Sequence, residues 1–99
     1  MSLYELRFTA SNPEPLPVDA WERVFDALVR FPGVEPGEWT QHDHDPQTVT
    51  AGFVIAVEQA MGEAALHGTR LAKDSLTMAG MPDAKLVDLS VRLVRDEGD

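Results

Sequence analysis

The chain has 99 residues, 43% of them hydrophobic and 25% charged, which suits one globular domain with a single core and excludes a disordered polymer. A formal charge of −9 argues against nucleic acid as a partner, because that affinity comes from Lys and Arg neutralising phosphates, and the absence of cysteine removes disulfides, thiolate catalysis and cysteine-ligated zinc. No apolar run reaches the ~18 residues of a membrane span and no basic-then-apolar leader opens the chain, so the expectation is a cytoplasmic protein with no membrane partner.

In chain order, Leu3 to Ala10 alternates, with Tyr4, Leu6, Phe8 and Ala10 on one side and Glu5, Arg7 and Thr9 on the other, as in a half-buried strand. Ser11 to Pro17 holds three prolines and reads as a loop. Asp19 and Glu22 have the spacing of a capping box, and Trp21, Val24, Phe25, Leu28 and Phe31 then recur at helical spacing, which predicts a helix over Asp19 to Arg30 with an Asp26–Arg30 pair on its wet side. Pro32-Gly33 breaks that helix and Pro36-Gly37 keeps the chain in a loop. Glu38 to Asp43 is then a short polar edge strand, and Asp45-Pro46-Gln47 a turn.

Val49, Ala51, Phe53, Ile55 and Val57 occupy every odd position of the next stretch, against the smaller Gly52, Val54 and Ala56. That period of two predicts a strand, and the β-branched density with Gly52 argues against one long helix from Thr48 to Ala79. From Glu58 the spacing changes: Met61, Ala64, Ala65, Leu71, Ala72, Leu76 and Ala79 share one helical face with Gly68, where a glycine would allow close approach to the sheet. Gly80 and Pro82 form a stop signal. Leu86 to Val94 alternates once more, with Val87, Leu89, Val91 and Leu93 inward, and Arg95 to Asp99 is expected to fray as an acidic tail.

The order β-α-β-β-α-β is that of a ferredoxin-like α+β domain spanning 1–99: a four-stranded antiparallel sheet with two helices on one face. Right-handed crossovers put the third strand between the first and second and the fourth outside the first. The core then lies between Tyr4, Leu6, Phe8, Phe53, Ile55, Leu89 and Val91 of the sheet and Trp21, Phe25, Leu28, Met61, Ala65 and Leu71 of the helices.

The other sheet face presents Glu5, Arg7, Val54, Asp88 and Arg92. Either these are cross-strand pairs on a wet sheet, or the face docks onto a partner or a second copy, with a two-fold homodimer as its simplest form. His42-Asp43-His44-Asp45 places two imidazoles at i,i+2, on one face of a strand, as two ligands of a metal would be; the third cannot be named, and a polar hairpin end beside the Asp-Pro turn is the favoured explanation. Glu63 and His67 stand one turn apart as an exposed pair or an acid/base pair. Trp39, on the opposite side from His42, is either packing at the edge or a binding residue. No phosphate loop, nucleophile elbow, HExxH or calcium loop occurs, Ser75 and Ser90 have no argued base, and no cofactor or metal is expected.

The leading expectation is a small noncatalytic interaction or regulatory module, working through its open sheet face or edge strand. The alternative is a small enzyme or ligand-binding protein of the dimeric α/β-barrel type, with Trp39, His42 and His44 near the mouth of a cavity between sheet and helices. A vacancy in the core favours the second. A mimic of nucleic acid needs carboxylates aligned on one face, whereas here they are scattered.

Overall fold

A computed structural model describes residues 2–42, 45–58 and 60–96. The elements are β1 (Ser2–Ser11), α1 (Ala20–Leu28), β2 (Val34–His42), β3 (Asp45–Val57), α2 (Met61–Met78) and β4 (Lys85–Asp96). They form one antiparallel sheet in the order β2-β3-β1-β4, the ferredoxin-like arrangement that the periodicities predict, with the most apolar strand inside. Among the described residues no helix is long and apolar enough to cross a membrane.

Alternation on β1 and β3 places Tyr4, Leu6, Phe8 and Ala10 beside Val49, Ala51, Phe53 and Ile55, all buried on the helix-covered face. Phe8 and Phe53 meet edge to face, with centroids 6.1 Å apart. From α2 come Ala64, Leu71, Ala72 and Leu76, and from α1 Ala20, Val24, Ala27 and Leu28. Small residues on α2 let it lie close to the sheet. At Gly68 a Cβ would fall 1.7 Å from Leu6 Cδ2, so only hydrogen fits there. Gly80, at φ +88°, ends the helix in a backbone conformation that side chains rarely adopt.

Several expectations are corrected. The capping box at Asp19 does not form: the Asp19 carboxylate instead accepts from Arg23 Nε at 2.9 Å, and α1 ends at Leu28 rather than Arg30, with no ion pair between Asp26 and Arg30. β2 starts at Val34 and runs through Pro36-Gly37, which an edge strand tolerates because its outer side needs no N–H; the register shifts between Pro36 and Trp39. β4 extends through Arg95 to Asp96 rather than fraying at Arg95. Val87 is 62% exposed rather than inward: the register against β1 jumps between Thr9/Asp88 and Ala10/Leu86, so Val87 is the extra residue of a β-bulge and Leu86 takes the inward position. Phe25 and Met61 are also exposed. The backbone of α1 approaches β2 and α2 most closely, with Phe25 on a flank of its stripe left open to solvent, and Met61 is the first residue of its helix.

Candidate functional site

Side chains that could meet a ligand gather where α1 crosses the edge of the sheet. α1 runs antiparallel to β2, which brings its first turn over the end of that strand. Trp39 opposes Ala51, placing it on the helix side, and its ring stacks on Trp21 with centroids 5.4 Å apart and planes at 29°. Phe25, one turn further along α1, meets Trp21 edge-on at 5.4 Å and 80°. Both tryptophans are half-buried and Phe25 is 41% exposed, so the three rings form a ledge that is anchored in the core and open at its rim. The helical spacing of Trp21 and Phe25 was legible as core; that they lean outward onto Trp39 required knowing that α1 sits over an edge.

Of the two histidines set beside Trp39, His42 closes β2, while its side chain, together with all of Asp43 and His44, lies outside the described residues. Asp45 opens β3, where a turn over Asp45-Pro46-Gln47 was expected, and its carboxylate accepts from the Gln47 N–H at 3.0 Å and from the Thr48 hydroxyl at 2.6 Å. Among the described residues no group of three or more His, Asp or Glu could hold a metal ion. Glu63 and His67 are both exposed on α2 and share a shallow cleft with Leu66 and Arg70.

The open sheet face is laid out as the alternation requires. Arg92 Nη2 donates to Glu5 Oε2 at 3.0 Å, Arg7 pairs with Glu38, and the Thr9 and Thr50 hydroxyls meet at 3.0 Å. Val54 lies half-buried between Glu5 and Glu35 on neighbouring strands. The five residues expected here, Glu5, Arg7, Val54, Asp88 and Arg92, thus do share one face.

Between the helices, Arg23 reaches from α1 to donate Nη1 to the Ala79 carbonyl at 3.4 Å, and with Asp26, Arg30 and Met78 it lines an open cleft of ≈ 180 Å³. The Phe8–Phe53 contact and the approach of Gly68 to Leu6 occupy the middle of the sheet–helix interface, where a cavity was the alternative expectation. The ledge at the edge is an accessible apolar surface built of stacked rings.

No protein-family model matches the chain, and no curated protein does. Among solved structures it is similar to a crystal structure of a protein named as an antibiotic biosynthesis monooxygenase, from Chloroflexus aurantiacus J-10-fl, at 15% identity and a TM-score of 0.51, over 99% of this chain and 98% of the other. At that identity the likeness establishes the fold. It also corrects the leading functional expectation. A noncatalytic module was inferred chiefly from the lack of a catalytic motif in so small a body, yet a body of the same fold and length carries the name of an enzyme. The absence of a motif in so small a body therefore no longer argues for that module.

Proposed function

We propose that the chain is a small enzyme or ligand-binding protein of the dimeric α/β-barrel type that takes a planar organic molecule at the Trp21–Trp39 ledge, with oxygenation, the activity named for its structural neighbour, as the reaction class. The observation that carries the reading is the half-buried pair of stacked indoles with Phe25 open beside it. Indole faces attract flat, unsaturated rings through offset stacking, and two rings already held in place bind with little further loss of side-chain freedom. His42 ends the same strand three residues beyond Trp39. A cysteine-free composition suits a reducing compartment such as the cytoplasm.

The test is a titration followed by indole fluorescence, using a naphthol as the planar probe, with oxygen uptake recorded in parallel. Saturable quenching that weakens at least about tenfold in Trp39→Ala, equivalent to ~1.4 kcal/mol, supports the site. Quenching that is linear with probe concentration and the same in the variant overturns it. Oxygen uptake that depends on the probe assigns the enzyme reading, and saturable binding with no uptake leaves a ligand carrier.

A further inference from the structure

The two edges of the sheet are built differently. β2 is blunted by Pro36-Gly37, a register shift and the aromatic ledge above it. β4 is a strand of 12 residues whose outer side has no neighbour in the sheet, and it carries three large apolar side chains to solvent: Val87 at 62% exposure, Leu93 at 44% and Val94 at 49%. An exposed edge with apolar side chains is a template for another strand unless something opposes pairing. Its two bulges, at Val87 and Val94, do not interrupt the middle; Asp88 to Leu93 pair with Thr9 to Tyr4 in unbroken register.

From Leu86 to Val94 the sequence of this edge reads the same way in both directions. About Ser90, antiparallel pairing with a second copy sets Leu89 against Val91, Asp88 against Arg92, Val87 against Leu93 and Leu86 against Val94. Between Leu86 and Val94 every apolar residue meets an apolar one and the two charges meet with opposite sign, while beyond this stretch Lys85 faces Arg95, a like pair at the ends of the contact. Asp88 has no charged partner among the described residues of its own chain, while Arg92 holds Glu5 through one terminal nitrogen with its side chain 72% exposed. Cross-strand pairs of both kinds stabilise antiparallel sheets, and a two-fold axis repeats each of them. A shift of one residue in either direction loses the match: centred between Ser90 and Val91, Asp88 would face Leu93 and Leu89 would face Arg92.

We infer that β4 is a self-pairing edge: two copies join through an antiparallel β4–β4 contact centred on Ser90, making a continuous eight-stranded sheet with the helices of both copies on one side. The contact does not depend on the ligand of the proposed function, so either can fail alone.

The register gives a sharp test, because the residue on the axis meets itself. Opposed Cα atoms in antiparallel strands lie ~4.5–5.5 Å apart, inside the ~4.4–6.8 Å span of a disulfide, and the chain has no other cysteine. Under mild oxidation Ser90→Cys is expected to form a covalent dimer at least about tenfold faster than Thr40→Cys, an exposed control on the opposite edge, as a preformed contact raises effective concentration. In light scattering the parent should give twice 10.9 kDa at high micromolar concentration. Asp88→Arg should shift it to monomer, and Asp88→Arg with Arg92→Asp should restore the dimer. A parent that stays monomeric, equal crosslinking at positions 90 and 40, or a folded double variant that fails to recover would each overturn the inference.

Discussion

The two helices cover the same sheet by opposite means. Under α2, small residues bring the helix down until Gly68 touches Leu6, and Phe8 and Phe53 close the space. Under α1, three large rings prop the helix over the edge strand and remain partly wet. Close packing stabilises but leaves nothing for a ligand to enter, whereas stacked rings at a rim sacrifice burial and keep apolar surface available. The first region is scaffold and the second is the proposed site, and substitutions should separate them by how loss of stability compares with loss of binding.

The largest effect is expected at Phe53, which is 1% exposed on the strand in the middle of the sheet. Phe53→Ala should cost about 3–5 kcal/mol in a denaturant melt, the range for a buried aromatic truncated in a tight core. A loss under ~1 kcal/mol would mean that the interface under α2 is looser than the Gly68 contact implies. Next comes Gly68→Ala. Helix propensity favours alanine by up to ~1 kcal/mol, yet the new methyl would overlap Leu6, and overpacking of this kind costs about 1–3 kcal/mol. A net loss that shrinks when Leu6→Ala is added would locate the strain between those two side chains. A stabilised Gly68→Ala would break the contrast between the helices.

Trp39 belongs to both descriptions. Half-buried against Trp21, it should contribute about 2 kcal/mol through the apolar area it covers. Trp39→Ala should therefore unfold at lower denaturant than the parent but retain a cooperative melt, while probe binding is lost. If stability fell as far as in Phe53→Ala, the ledge would be core rather than site.

How much of this could be read in advance follows from what periodicity reports. A period of two or 3.6 marks a side chain as facing inward, and this was enough to give the strand order, the core of β1 and β3, and the use of Gly68. It does not report where the neighbouring element ends. Trp21 and Phe25 have the helical spacing of core residues, yet α1 lies nearest the edge strand and one flank of its stripe stays open to solvent. The same limit explains Val87: alternation assumes one residue per step, and a bulge inserts another. Pro36-Gly37 reads as a loop because proline lacks a donor, but on an edge the missing donor costs nothing. The candidate site was legible only in part. Trp39 was singled out, while its partners came from an open flank that no local pattern encodes. The match within β4 lay in plain letters, but it acquires meaning only once β4 is known to be an edge.

The smallest expected change in stability is the most informative about function. Phe25 touches the ledge through a single edge-on contact with Trp21 and is 41% exposed, so its contact is worth about 0.5–1.5 kcal/mol at most, and solvent already reaches the ring. Phe25→Ala should melt within ~1 kcal/mol of the parent. If the ledge binds planar molecules, the same truncation removes one wall of the rim and should weaken naphthol binding about tenfold, a loss of ~1.4 kcal/mol in binding. A packing residue gives the opposite ratio, with stability falling and binding following only as far as the folded fraction falls. Measuring both quantities on this one variant therefore tells whether the rings beneath α1 are held open for a ligand or are only the unfinished margin of the core.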